Sequence, residues 1–219
     1  MNSVPCYLTS LLDIQQHYRP DESIKLLSPE ELTQLAKITL PKSKARFLAG
    51  RSFIKHTLAQ YLEIPAGDVR IETATYGKPY QQHQPNLFFN LSHTGNWFAL
   101  AISRHGEIGI DIETHKPRKN LSSMAQQVFT KAEQRWFKAL TGKEQEAMFY
   151  SLWSLKEAIL KAEGIGLNLA MNQLGFSREF SASIWPEMLG SVKSWQWQCV
   201  SEKNLSLSVA IKRHARVKV

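Results

Sequence analysis

Cysteine is scarce: among 219 residues there are two, Cys6 and Cys199. Two thiols cannot build a disulfide framework or a four-ligand zinc site. They fit a cytoplasmic protein with both thiols reduced. Long apolar runs are missing as well. The uncharged stretch from Leu87 to Ser103 carries Asn90, Ser92, His93, Gly95 and Asn96, which makes it a poor membrane span. Met1–Thr9 has no basic segment leading into an apolar run, so no secretory signal is expected. No block of five or more like charges occurs, and there is no low-complexity linker or exact internal repeat. Hydrophobic residues at 43% and charged residues at 21% exclude a disordered or fibrous chain.

What is present in excess is positive charge, a net +8. Up to residue 108 there are 11 basic and 9 acidic residues, and from 109 onward 16 and 10. Such a surplus favours an anionic partner: nucleic acid, a phosphorylated small molecule or an acidic protein. A basic surface that serves only solubility would show the same balance. The densest basic stretch is the tail Lys212, Arg213, Arg216 and Lys218.

Punctuation along the chain predicts the elements. Ser28-Pro29-Glu30-Glu31 is a helix start, with a capping hydroxyl, proline at the first helical position and acids at the positive helix end. Pro41 opens a second helix to about Tyr61, with Phe47, Leu48, Phe53, Ile54, Leu58 and Leu62 as its apolar set and Pro65 and Gly67 beyond its end. Val69–Ala74 alternates as a strand, and Tyr76-Gly77-Lys78-Pro79 is a turn. Leu87–Leu91, Trp97–Ser103 and Ile108–Ile112, linked through Gly95 and Gly106, suggest an antiparallel meander. Thr130-Lys131-Ala132-Glu133 is a capping box opening a helix to about Leu140. A longer helix spans about Glu144–Glu163, with Gly164 at the left-handed cap. Trp195–Val200 and Leu205–Ile211 alternate as strands. The order is helices then strands, twice. It predicts an α+β fold of two similar, pseudo-duplicated subdomains, 1–107 and 108–219, with the active site in the cleft between them.

Three local patterns carry chemistry. In Ile108-Gly-Ile-Asp111-Ile-Glu113 the two acids share one strand face. Paired carboxylates suit Mg²⁺; an acidic strand end beside Lys116, Arg118 and Lys119 is the plain alternative. In Trp153-Ser-Leu-Lys-Glu157-Ala-Ile-Leu-Lys161, an apolar stripe of Met148, Leu152, Leu155, Ile159 and Ala162 leaves Glu157 and Lys161 opposite it, beside Trp153. A surface ion pair explains that spacing equally well. In Phe88-Phe-Asn-Leu-Ser92-His93-Thr94-Gly95 a Ser-His pair enters a turn. No nucleophile elbow surrounds it. Hydroxyl, imidazole and turn amides fit anion binding, or simply a hydrogen-bonded strand end. Lys44-Ala-Arg46 and Gly77-Lys78-Pro79 are weaker signals.

Taken in order, Gly77-Lys78-Pro79, Phe89-Asn-Leu-Ser92-His93, Ile108-Gly-Ile-Asp111-Ile-Glu113, Phe129-Thr-Lys-Ala-Glu133 and Trp153-Ser-Leu-Lys156-Glu157-Ala-Ile-Leu-Lys161 resemble the 4′-phosphopantetheinyl transferases of the surfactin-synthetase-activating type. The resemblance implies a cytoplasmic monomer that moves the phosphopantetheine arm of coenzyme A onto a serine of an apo acyl, peptidyl or polyketide carrier protein, releasing 3′,5′-ADP. It implies Mg²⁺ or Mn²⁺ at Asp111, Glu113 and Glu157. Glu157 would also be the base for the acceptor serine, and Lys161 would steady the diphosphate. Ser92, His93 and Arg46 would contact phosphates, and Lys78 would form part of the adenine pocket. Relatives often carry more basic residues after the first serine-proline. Glu31 and Gln34 stand there here, which leaves two alternatives, a weaker phosphate grip or substitution by Lys42 or Lys44. The carrier would be acidic near its serine, a use for the basic surplus. Another Mg²⁺-dependent phosphotransferase lacks a Walker loop to support it. A nucleic-acid binder lacks zinc-finger, RNP and helix-turn-helix signatures, so neither nucleic acid nor membrane is expected as a partner.

Overall fold

The computed structural model describes residues 4–74, 77–166 and 169–213. Tyr76 of the expected turn and Arg216 and Lys218 of the basic tail lie outside the described residues. The fold is α+β and repeats one plan: a strand, helices, a small two-stranded sheet, a hairpin. The first pass is β1 (Cys6–Ser10), α1 (Leu11–His17), α2 (Pro20–Lys25), α3 (Pro29–Lys37), α4 (Pro41–Leu62), β2 (Ile71–Thr73), β3 (Pro79–Gln81), β4 (Phe88–Thr94) and β5 (Trp97–Ser103). The second is β6 (Gly106–Thr114), α5 (Leu121–Val128), α6 (Lys131–Ala139), α7 (Gly142–Glu163), β7 (Gly175–Phe176), β8 (Ala182–Ile184), β9 (Trp195–Glu202) and β10 (Leu205–Arg213). The antiparallel sheets β1-β5-β4 and β6-β10-β9 have the same strand order relative to their own pass.

Caps set the helix ends as the sequence suggests. Ser28 and Glu31 form a reciprocal capping box at α3, and Thr130 and Glu133 form its twin at α6. Each capping glutamate also accepts from a buried lysine of the following long helix. Lys156 Nζ lies 2.6 Å from Glu133, and Lys55 Nζ 3.0 Å from Glu31. α4 ends differently from expectation: the left-handed cap is Glu63, at φ 56°, ahead of Pro65 and Gly67. α7 ends on Gly164 at φ 74°, where only glycine is free of strain.

Two corrections concern topology. The opening strand β1 and helices α1 and α2 precede the elements expected from the sequence, so each pass begins with a strand. And the three-stranded meander does not form. β4 and β5 pair, but β6 turns away and pairs with β10, opposing Asp111 to Ser208 and Glu113 to Ser206. Phe53, Ile54, Leu58, Phe98 and Leu100 fill the first core, and Phe149, Leu152, Leu155, Ile159 and Phe176 fill the second. Between the sheets Ala99 and Ala101 meet Ile108, Ile110 and Ile112.

Candidate functional site

The two sheets meet where β4 passes β6, and the join is made by side chains. Asn90 Oδ1 accepts from the Ile110 amide at 3.0 Å, Ser92 Oγ from Ile112 at 3.4 Å and Thr94 Oγ1 from Thr114 at 3.2 Å. These amides lie in a largely buried seam, where each unsatisfied donor would cost about 1–3 kcal/mol. The period of two that sends Asn90, Ser92 and Thr94 to the seam sends Leu91 and His93 to the other face of β4.

The face of β6 that carries Asp111 and Glu113 looks at α7. Gly109 permits the approach: a Cβ there would lie 2.0 Å from the Ala158 carbonyl oxygen. α7 is buried around most of its girth, including Ser151, Ser154 and Lys156, so it packs far more than the expected stripe. Glu157 and Lys161 occupy its remaining, half-buried side. Lys161 Nζ donates to Asp111 Oδ1 at 2.5 Å, to Ser92 Oγ at 3.0 Å and to the Ile110 carbonyl at 3.4 Å. Ser92 Oγ donates to Asp111 Oδ1 at 2.8 Å. Asp111 is 4% exposed, and its Oδ2 has no hydrogen-bond partner among the described residues.

All three carboxyl groups sit above their ordinary range. Burial raises Asp111, opposed by Lys161 and by the Ser92 hydroxyl. Burial and then the Asp111 charge push Glu113 up to about 7, against Lys161, Arg118 and the Thr94 hydroxyl at 3.5 Å. Burial raises Glu157, the Asp111 charge raises it further, and Lys161 opposes both. Each glutamate thus feels Asp111 and Lys161. Among the described residues, no three acidic, histidine or cysteine side chains close tightly enough to cage an ion; the Lys161 ammonium stands against Asp111 instead. The donors still suit a hard divalent cation. They are oxygen ligands in excess of neutralising charge, with one buried carboxylate oxygen unengaged.

On the other face of β4 lies a cavity of about 400 Å³, lined among others by Arg46, Gly50, Arg51, Pro79, Leu91 and His93. Arg46 Nε is buried and has no hydrogen-bond partner among the described residues. Partial enclosure, then Arg46 and Lys161, hold the His93 imidazole below its usual value. The cavity is therefore a cationic hollow beside an acidic seam.

The expected residues divide between these places. Asp111 and Lys161 are bonded at the seam, and Glu113 and Glu157 are near enough for the charges of both to act on them. Arg46 and His93 line the cavity. Ser92, expected at a phosphate, is buried and engaged with Asp111, Lys161 and the Ile112 amide. Lys78, expected in the adenine pocket, directs its ammonium to Glu107 and the Ala162 carbonyl, while its neighbours Gly77 and Pro79 line the cavity. Lys42 and Lys44 are exposed, and Arg51 supplies a second cavity cation that sequence reasoning missed. Its position four residues after Phe47, whose ring it covers at 5.3 Å, was the available signal. Asn90 and Thr94 were also missed, though polar residues at alternate positions of an apolar strand mark such a seam.

Comparison with known proteins agrees over both halves. The profile described as 4′-phosphopantetheinyl transferase superfamily matches residues 107–214, and one described as 4′-phosphopantetheinyl transferase, N-terminal, matches 17–105. A putative 4′-phosphopantetheinyl transferase of Synechocystis is 32% identical over 151 residues, covering 68% of this chain and 61% of the relative. The 4′-phosphopantetheinyl transferase Sfp of Bacillus subtilis is 33% identical over 149 residues, covering 68% and 65%. The chain thus spans 61–65% of the length of these curated relatives. Thermotoga maritima holo-[acyl-carrier-protein] synthase superposes with a TM-score of 0.41 at 18% identity, covering 50% of this chain and 65% of that one; so slight a likeness carries no argument.

Proposed function

The chain belongs to the 4′-phosphopantetheinyl transferase superfamily, and from that premise we propose that it transfers the phosphopantetheine arm of coenzyme A to a serine hydroxyl of an apo carrier protein, releasing 3′,5′-ADP. The observation that carries this reading is the bond of Lys161 on α7 to the buried Asp111 on β6, with Glu113 and Glu157 within the influence of both charges and the Arg46–His93 cavity on the other face of β4.

Coenzyme A is a polyanion, and the cavity offers Arg46 and His93 to its phosphates, with Arg51 beside them in an ion pair to Glu31 at 3.3 Å. The unpartnered Arg46 Nε is a donor waiting for an acceptor. The serine oxygen forms a bond to the phosphorus that carries the pantetheine arm. The bond from that phosphorus to the oxygen of the ADP moiety breaks, and 3′,5′-ADP leaves. Glu157 takes the serine proton, a task suited to a carboxylate held above its ordinary range. Lys161 keeps a positive charge where the leaving phosphate gains negative charge. Ser92 and Lys161 together fix the rotamer of Asp111. A divalent cation, Mg²⁺ or Mn²⁺, would be held by Asp111, Glu113 and Glu157, and when bound it supplies charge neutralisation and polarisation of the diphosphate.

The halves 1–107 and 108–219 would divide the labour, the first gripping coenzyme A and the second carrying the acids. No helix among the described residues is long and apolar enough to cross a membrane. Two free thiols suit the cytoplasm. The protein is to be incubated with coenzyme A, Mg²⁺ and apo acyl, peptidyl and polyketide carriers, and the acceptors weighed intact. One phosphopantetheine gained on at least one carrier is expected. No gain on any of them, from folded protein that binds coenzyme A, overturns the proposal.

A further inference from the structure

Lys78 lies between β2 and β3 in the first pass of the fold, yet both partners of its ammonium lie on elements of the second pass, β6 and α7. It donates to the carboxylate of Glu107, at the start of β6, and to the carbonyl of Ala162, in the last turn of α7. The Ala162 carbonyl is among the final helix acceptors, which have no intrahelical donor. A lysine from elsewhere in the chain supplies one and complements the negative helix end. Gly164 makes the route passable, because a Cβ there would lie 3.1 Å from Lys78 Cδ. The residues flanking Lys78 in sequence, Gly77 and Pro79, line the cationic cavity. The residue before Ala162 is Lys161, which holds Asp111.

We infer that Lys78 is a positioning residue: a clasp that fixes the cavity wall at 77–79 against the end of α7 carrying Lys161, so that coenzyme A bound in one half is presented to the acids of the other. Its pairing with Glu107 is partly exposed, at 15% and 34% for the two side chains. Such pairs contribute little to global stability, so the bond matters for where two segments sit. The consequence for turnover rests on the transferase reading; the clasp itself does not.

The test compares wild type with Lys78→Met, Glu107→Gln and the double variant. Lys78→Met is expected to raise KM for coenzyme A about tenfold, since a small displacement of a binding wall weakens orientation. KM for the carrier and the unfolding midpoint stay near wild type. Glu107→Gln moves in the same direction by less, and the double variant is no worse than Lys78→Met, the pattern of one shared interaction. A KM for coenzyme A within about twofold of wild type in Lys78→Met, or an equal rise in both KM values, overturns the inference. If wild type transfers nothing, the functional reading fails separately. Hydrogen exchange at the last turn of α7 then reads the clasp without turnover: faster exchange in Lys78→Met supports it and unchanged protection overturns it.

Discussion

Asp111, Glu113 and Glu157 hold their protons more tightly than ordinary carboxyl groups, so the folded protein without a cation has a defined pH response. Glu113 moves from 4.5 to about 7. Below 4.5 it is protonated in both folded and unfolded chains, and between 4.5 and about 7 only the folded chain keeps the proton. Raising the pH through that window therefore favours unfolding, and the penalty is complete above it. We expect added Mg²⁺ to raise the unfolding midpoint more at about pH 8 than at about pH 5, and Glu113→Gln to flatten the cation-free pH dependence. Equal Mg²⁺ effects at both pH values in calorimetric unfolding would contradict this. That Asp111 and Glu113 share a strand face, and Glu157 and Lys161 one side of a helix, was legible in the sequence because strand and helix periods are local; that Lys161 reaches Asp111 was not. The orientations of Ser92 and Lys78 were not, since they depend on partners distant in the chain. Nor were Lys55 and Lys156. A buried lysine means something only beside Glu31 or Glu133, which a helix start far back along the chain supplies.

At the scale of elements, the twin bolts Glu31–Lys55 and Glu133–Lys156 each tie a helix N-terminus to the following long helix. Both side chains of the second pair are 0% exposed. Lys156 Nζ also donates to the Val128 carbonyl at 2.8 Å and to the Met171 carbonyl at 3.1 Å. Although Lys156 adjoins Glu157, it is occupied wholly within the fold. Lys156→Met leaves Glu133 buried and unpaired, at an expected cost of about 3–5 kcal/mol. Denaturant unfolding checks this, and a loss below about 1 kcal/mol would place the pair among dispensable ones. Capping boxes, Pro41 and Gly164 made most helices readable. β1 was invisible because Cys6–Ser10 is short and becomes a strand only by pairing with β5. The exit of β6 was hidden for the same reason: its partner β10 is the last of the described elements.

For the whole molecule, duplication places an acidic seam between two similar α+β layers and a cationic cavity beside it, under a net charge of +8. An α+β fold was readable from the alternation of helix and strand signals. The seam was not, because it uses side chains in place of a backbone ladder. The charge surplus predicts electrostatic steering of an acidic carrier. The transfer rate at limiting carrier is expected to fall about tenfold or more between about 50 and 300 mM salt, with kcat changed less. A salt-independent rate at limiting carrier would leave the surplus without that role.

Glu157→Gln tests the central claim most directly, because it keeps the shape of the side chain and removes its charge and basicity. The variant is expected to unfold like wild type, to bind coenzyme A, and to transfer phosphopantetheine at least about a hundredfold more slowly. A folded Glu157→Gln protein that modifies its carrier within a few-fold of the wild-type rate would contradict the account.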